Sequence, residues 1–459
     1  MAMSNAPCFR LNGESVPLEG VDPRQSLLRW LQQRRLGGTK EGCGDGDCGA
    51  CTVALLEADA DGRSRYHAVN SCLLPLGFLP GREIYTVEAL ADGETLHPVQ
   101  QAMIECAGSQ CGYCTPGFVM SLFVGGHEGE LGDAAIEGNL CRCTGYRPIR
   151  AAARRLAQSP PAPDRFDVAK AAPRQLPAST ALPDYHSPAS VDEAITLKTR
   201  HPQSAWIAGG TDLGVGLSRH QSVAPVLIAL DRIAELQALQ VEESRVRIGA
   251  GVPLSRIERE LHGRIPLLDD LLHWFAGRQV RNRATLGGNL GSASPIGDLL
   301  PALLALDALV HLRGPRGARS VPAADFFLDY RRTARADDEL VMAVDMQSPG
   351  SRRNAGYKVA KRQTDDISIV VAAFILGFNG QGLVDHARLA FGGVAAVPLR
   401  AHAVEDWLQG RRLDADTLVE AGVRLRDAFT PISDHRASAD YRRALCANLF
   451  ARFVAERCA

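Results

Sequence analysis

The chain has almost no net charge. Its 51 basic and 52 acidic side chains leave −1 at neutral pH, and the two signs are interspersed along all 459 residues. No long-range field favours nucleic acid or an anionic membrane surface, and neither is expected as a partner. Long hydrophobic runs are missing as well. The longest apolar stretches, Leu299 to Leu312 and Ile367 to Phe378, fall short of the roughly 20 residues that a bilayer span needs. Met1 to Arg10 has no basic segment followed by an apolar one, so a secretory leader is not expected and a cytoplasmic protein is. No internal repeat is evident. Hydrophobic content of 46% with 22% charged residues is ordinary for a globular chain, and the length suggests about three domains.

Cysteine is what the chain does have. Eight of its twelve cysteines fall in the first third, as Cys43, Cys48, Cys51 and Cys72, then Cys111, Cys114, Cys141 and Cys143. The first group has the spacing Cys-x4-Cys-x2-Cys with a fourth about twenty residues on, the plant-type ferredoxin order for a 2Fe-2S cluster. Thiolates suit iron, and four of them close a site. The run Glu41 to Cys51 carries few bulky side chains, which lets backbone wrap a cluster and turn amides toward its sulfurs. The second group pairs Cys-x2-Cys with Cys-x-Cys among helix signals: Thr115-Pro116 reads as N-cap and first turn, and Arg147-Pro148 opens another helix. By spacing alone this second set also fits a structural zinc site. Disulfides are disfavoured, because Cys141 and Cys143 are too close to bridge comfortably and nothing marks a secreted chain. Cys8, Cys106, Cys446 and Cys458 form no group and read as small hydrophobes.

Around the first group, short strand patterns at Cys8 to Leu11, Ala50 to Leu56 and Glu83 to Val87 alternate with a helix over Pro23 to Arg35 capped at Asp22, which fits a β-grasp domain over 1–88. From 89 to 158 apolar residues recur at helical spacing (Val99, Met103, Ile104; Phe118, Val119, Leu122; Ile149, Ala152, Ala153, Leu156), predicting an all-helical domain. The Pro- and Ala-rich stretch 159–184 reads as an extended linker. Alternating strands and helices predict an α/β domain over 185–352, and strand-like Ile367 to Phe374 and Ala387 to Phe391 followed by helices predict a C-terminal α+β domain over 353–459.

Two runs of small residues, Trp206-Ile207-Ala208-Gly209-Gly210-Thr211-Asp212-Leu213 and Thr285-Leu286-Gly287-Gly288-Asn289, each follow a strand or a turn and offer bare backbone amides to phosphate oxygens. Both lack the third glycine of the dinucleotide fingerprint, as does Gly249-Ala250-Gly251, so a Rossmann site is not supported. Taken alone, each glycine pair is an ordinary tight turn.

Longer runs carry a family resemblance. Gln110-Cys111-Gly112-Tyr113-Cys114-Thr115-Pro116-Gly117, then Gly138-Asn139-Leu140-Cys141-Arg142-Cys143-Thr144-Gly145-Tyr146-Arg147-Pro148-Ile149, then Phe275 to Val280 and Gly287 to Asp298, together resemble the xanthine dehydrogenase family of molybdenum hydroxylases over nearly the whole chain. The large molybdopterin-binding region is absent, so the resemblance is to the small subunit of a split-chain enzyme. It implies an α+β multidomain protein with a ferredoxin-like and a helical 2Fe-2S domain, an FAD-binding domain of the molybdenum-hydroxylase flavoprotein type, and a C-terminal domain. It also implies two 2Fe-2S clusters on the eight cysteines, FAD, NAD as acceptor, and a large molybdopterin-binding partner in an α2β2 or larger assembly. The hydroxylation site lies on that partner.

By matching position, Trp206 to Leu213 would line the FAD pyrophosphate, and Thr285, Leu286, Gly287, Gly288 and Asn289 would approach the flavin and its diphosphate. Asp298 would accept hydrogen bonds from FAD, while Val341 and Lys358 match further contacts. Phe275 would lie near the isoalloxazine, Tyr330 near the nicotinamide, and Asp365 would set charge beside the flavin. The implied role is transfer of electrons from the partner's molybdenum through both clusters to FAD and on to NAD, in oxidation of hypoxanthine and xanthine to urate. The alternatives are the same role in an aldehyde or N-heterocycle hydroxylase, or a zinc-stabilised binding protein.

Overall fold

In the computed structural model, which describes residues 7–58, 62–172, 180–221, 223–362 and 364–458, the amino-terminal strand pattern becomes a five-stranded mixed sheet. Its order is Glu14–Pro17, Cys8–Leu11, Glu83–Tyr85, Thr52–Ala58, Ser64–Asn70, with Cys8–Leu11 parallel to Glu83–Tyr85. Thr52–Ala58 is apolar on both faces because both are covered. Val53 and Leu55 share a core with Leu27 and Leu31 of the helix Leu27–Gln33, while Ala54 and Leu56 share another with Phe118 and Phe123. Successive side chains point to opposite sides of a strand, so a run with both faces buried loses its polar alternation.

The first helix begins later than its sequence suggests. The Asp22 carboxylate accepts the Arg24 N–H at 3.0 Å in a turn of its own, and Ser26 caps the helix by accepting from Arg29 N. Pro98–Glu105, Thr115–Glu128 and Arg147–Gln158 form the helical layer. Ile104 is 63% exposed, against the expectation from spacing, since Val99, Ala102 and Met103 fill the inward stripe of that short helix.

The stretch expected to be an extended linker contains the helix Arg165–Ala171, capped by Asp164. One buried aromatic holds it: Phe166 packs edge-on against Tyr85 and Phe123, and its carbonyl accepts the Tyr66 hydroxyl at 2.9 Å. A seven-residue helix with a single buried apolar side chain leaves no period to read. Residues 173–179 of that stretch lie outside the described residues.

A second sheet, in the order Thr180–Leu182, Tyr185–Ser187, Leu227–Ala229, Ala205–Ile207, has parallel pairs flanking Leu227–Ala229 and joins the core of the ferredoxin-like sheet through Leu182, Tyr185, Ile207 and Leu227. Buried Arg82 ties these layers, pairing with Glu57 at 2.5 Å and Asp231 at 2.6 Å. Burial acts to raise the Glu57 carboxyl, but Arg82 and Arg283 outweigh it and hold it down at about 2.

By contacts the chain divides into two units, Met1–Ala234 with Ala276–Ala284, and Glu235–Phe275 with Thr285–Ala459. The second unit contains an antiparallel five-stranded sheet (Leu239–Val241, Arg245–Gly249, Leu340–Gln347, Leu309–Gly314, Gly317–Pro322) and an antiparallel four-stranded sheet led by Arg353–Val359 and Val370–Phe378. The latter packs on the helix Ala439–Arg457 through Phe374, Phe391, Phe450 and Phe453. Among the described residues no helix is long and apolar enough to cross a membrane.

Candidate functional site

The loop from Gly42 to Cys51 gathers the first four sulfurs. Cys43 Sγ accepts N–H groups from Cys48 at 3.3 Å and Asp45 at 3.5 Å, and Cys48 Sγ accepts from Cys43 N at 3.3 Å. Cys51 and Cys72 bring their sulfurs within 3.4 Å, with Asn70 Nδ2 3.8 Å from Cys51 Sγ. The hydrogen bond between their side chains raises Cys43 and lowers Cys48 to about 6; in the second pair it likewise raises Cys72 and lowers Cys51 against its burial. All twelve cysteines are free. Soft sulfurs this crowded and met by amide donors are a donor set for iron.

The second four sit at helix ends. Cys114, rather than Thr115, is the N-cap residue of Thr115–Glu128; the Thr115 hydroxyl bonds to Ser109 Oγ at 2.8 Å instead. Cys141 Sγ accepts N–H groups from Cys143 and Thr144, each at 3.4 Å. Against an upward push from burial, Thr144 and Cys143 draw the Cys141 thiol down. Burial and the nearby Cys141 charge push Cys114 up to about 12. The two loops meet backbone to backbone: Leu140 N donates to Cys48 O at 3.0 Å, Asn139 Nδ2 donates to Gly49 O at 3.0 Å, and a Cβ on Gly117 would lie 2.2 Å from that carbonyl.

The first glycine-rich run leads from the strand Ala205–Ile207 into the helix Leu213–Ser218. Gly209 has a structural reason to be glycine, since its Cβ would lie 1.7 Å from Arg283 O. Gly214, one residue past the run, approaches Leu73 so closely that a Cβ would lie 2.5 Å from its carbonyl. The run is thereby packed beside Cys72, whereas Trp206, Ala208 and Thr211 remain half-buried and Asp212 exposed.

In the second unit, Thr285 caps Leu286–Ser292 by accepting from Gly288 N at 3.0 Å, and Gly287 N donates to Ala250 O at 2.9 Å. Asn289 Oδ1 is buried with no hydrogen-bond partner among the described residues, an acceptor left over for a ligand donor. Buried Asp298 is not the N-cap of the following helix, whose N-cap residue is Leu299. Its carboxylate accepts from Lys358 Nζ at 2.7 Å and from the Ser368 hydroxyl at 2.5 Å, and Lys358 Nζ also donates to Trp274 O at 2.8 Å. Burial raises the Asp298 carboxyl, and Lys358 opposes that rise. The Lys358 side chain is only 4% exposed. Val341 is buried in the strand Leu340–Gln347, Phe275 is half-buried, and Asp365 is buried at a positive φ of 50°. Tyr330 is 59% exposed between the strands Phe327–Asp329 and Arg332–Thr333. The Asp298–Lys358 pairing has no sequence signal, since its members lie 60 residues apart.

Sequence also gave no sign of a His97, His127 and Asp164 group, whose ligand atoms lie within 4.8 Å of one another. Hydrogen bonding argues against a metal there. His97 Nδ1 accepts the Val99 N–H at 3.2 Å, so its proton sits on Nε2 and is donated to Asp164 Oδ2 at 3.1 Å. No lone pair remains on that nitrogen. With His127 Nδ1 bonded to Asp167 Oδ1 at 3.2 Å, the trio latches the helix Arg165–Ala171 to the helical layer.

Comparison with known proteins fits these sites. Residues 9–76 match the 2Fe-2S iron-sulfur cluster binding domain and 86–154 the 2Fe-2S binding domain. Residues 178–346 match the FAD binding domain in molybdopterin dehydrogenase, and 355–457 the CO dehydrogenase flavoprotein C-terminal domain. Two 2Fe-2S domains followed by an FAD domain define an iron–sulfur flavoprotein. A solved carbon monoxide dehydrogenase from Hydrogenophaga pseudoflava is 30% identical with a TM-score of 0.56, covering 58% of this chain and 94% of that one. Quinoline 2-oxidoreductase from Pseudomonas putida 86 gives 28% and 0.56, over 61% and 97%. Xanthine dehydrogenase from Emericella nidulans is 30% identical over 97% of this chain and 38% of that protein; the Drosophila subobscura enzyme is 32% identical over 96% and 38%. This chain therefore spans under two fifths of the length of those xanthine dehydrogenases. It belongs to the molybdenum hydroxylase family, as a member that carries the iron–sulfur and FAD domains.

Proposed function

We propose that the chain is the electron-transfer subunit of a xanthine dehydrogenase, receiving electrons from a molybdopterin-binding partner and delivering them to NAD during oxidation of hypoxanthine and xanthine to urate. The observation that carries this reading is the hydrogen bond from Leu140 N to Cys48 O, which joins the two cysteine loops, together with the packing of Gly214 on Leu73 beside Cys72. In this reading Cys111, Cys114, Cys141 and Cys143 hold one 2Fe-2S cluster, and Cys43, Cys48, Cys51 and Cys72 hold the other. The clusters supply one-electron carriage, and the flavin supplies the change from single electrons to hydride.

The chain's own residues do the rest. The run Trp206 to Leu213 and the turn Thr285 to Asn289 bind the FAD, with Asn289 Oδ1 as an acceptor. Lys358 and Ser368 hold the Asp298 carboxylate in one orientation for a flavin donor. Phe275, Val341, Tyr330 and Asp365 line the flavin and nicotinamide positions. Domain limits at 88, 158, 184 and 352 and a cytoplasmic location belong to the same reading. Similarity to xanthine dehydrogenases over 96–97% of the chain supports the choice.

The test is the complex purified with its molybdopterin chain. It should bind four iron atoms and one FAD per copy, give two EPR signals on reduction by xanthine, and lose one of them in Cys43→Ser. Absence of both signals would remove the cluster reading. A second reading, hydroxylation of an N-heterocycle, is favoured by the likeness to quinoline 2-oxidoreductase. Reduction by quinoline and not by xanthine would select it.

A further inference from the structure

Ala276–Ala284 belongs with the first unit although the chain on either side of it belongs to the second. Its short helix Arg278–Arg281 lies against the strand Ser64–Asn70. Asn282 Nδ2 donates to Ala68 O at 2.9 Å, and Arg281 pairs with Glu137 at 2.7 Å. This anchoring brings Gln279, 2% exposed, into a polar node between the two cysteine loops. Gln279 Nε2 donates to Asn139 Oδ1 at 3.0 Å and lies 3.2 Å from Ser121 Oγ and 3.3 Å from Thr52 Oγ1. The Ser121 hydroxyl in turn donates to Asn139 Oδ1 at 2.7 Å. With its oxygen so held, Asn139 aims Nδ2 at Gly49 O, 3.0 Å away, and at Thr52 Oγ1, 3.4 Å away, and Gly49 O also accepts the Thr52 hydroxyl at 2.7 Å.

Gly49 follows Cys48, and Leu140 precedes Cys141. The node therefore fixes the segment that contains the Leu140 N–H to Cys48 carbonyl bond, which joins a cysteine of the first site to the residue before Cys141 in the second. Gln279 does this at a cost, because its buried Oε1 has no partner among the described residues and lies over Gly138. An apolar side chain of similar size would fill the space without an unanswered carbonyl, so packing alone does not ask for an amide here.

We propose that Gln279, contributed by the flavin-binding part of the sequence, is a positioning residue for electron exchange between the two cysteine sites. It touches neither set of sulfurs and acts through Asn139. The inference rests on the cluster reading above. One electron passes per event: the helical-domain cluster is oxidised by one unit, the ferredoxin-like cluster is reduced by one, and no bond is made or broken.

The full chain in its complex is reduced with dithionite, its iron is counted, and its low-temperature EPR spectrum is read for magnetic splitting between the two reduced clusters. Gln279→Leu should keep full iron and both signals but lose the splitting, with slower freeze-quench equilibration between them. Full iron with parental splitting and parental equilibration would overturn the proposal. If Gln279→Leu binds too little iron to read, Ser121→Ala decides, since it removes one hydroxyl from the node: diminished splitting supports the positioning role and unchanged splitting overturns it. A parent protein with neither signal would instead sink the cluster reading itself.

Discussion

The two cysteine sites share one unit and are built in opposite ways. Backbone makes the first: a glycine-rich loop folds its amides onto the sulfurs, and Cys51 and Cys72 are only 2% and 1% exposed. Helix ends make the second, where Cys111 and Cys143 stand exposed ahead of Thr115–Glu128 and Arg147–Gln158. A wrapped loop tolerates almost no added atom, whereas a site between helix termini borrows its geometry from capping and leaves sulfur at the surface. Under the proposed function the open site is the one another protein can approach. The closed one hands inward, toward the loop packed on Leu73.

The comparison breaks most sharply at Gly49. It has a φ of 64°, and a Cβ there would lie 2.3 Å from Gly138 O. Gly49→Ala should cost roughly 3 kcal/mol or more and lower the iron at both sites, because backbone on each side must move. Chemical denaturation with an iron assay checks this, and parental stability would mean the first loop is not wrapped as described.

An intermediate effect is expected at the latch beside the second site. His97→Ala removes both the cap on Val99 and the donor to Asp164, a loss of about 1–2 kcal/mol, seen as faster hydrogen exchange in Arg165–Ala171. Burial lowers the His97 pKa, with Asp164 opposing. The unfolded chain thus binds this proton near pH 6.5 while the folded chain still resists it. The latch contribution is therefore whole above that pH and lost as pH falls below it. Melting at pH 8 and pH 5 should show a pH-dependent component that His97→Gln lacks; identical slopes would refute the assignment. The smallest effect belongs to the second loop itself. Gly112 has a φ of 80° but its nearest neighbour to a Cβ is 3.9 Å away, so Gly112→Ala should cost about 1 kcal/mol and keep its iron.

Both cysteine groups were legible in the sequence because metal chemistry demands particular residue types at short spacings, and the strands and helices around them followed from periodicity. What stayed hidden depends on distant partners. Asp298 and Lys358 could each be named but not paired, and Gln279 was one residue in a motif until the helix carrying it was seen against Ser64–Asn70. The helix Arg165–Ala171 escaped notice because one aromatic side chain carries its burial. At Gly209 the sequence suggested a bare amide for a phosphate, yet the Arg283 carbonyl already accounts for the missing side chain.

The excursion of Ala276–Ala284 into the first unit has an evolutionary corollary. The polypeptide passes between its two units three times, at 234/235, 275/276 and 284/285, so these units cannot be exchanged at a single junction. Any recombinant that trades one half must inherit nine residues from the other or leave Asn139, Ser121 and Thr52 facing an empty socket. Exchange between lineages should respect that seam.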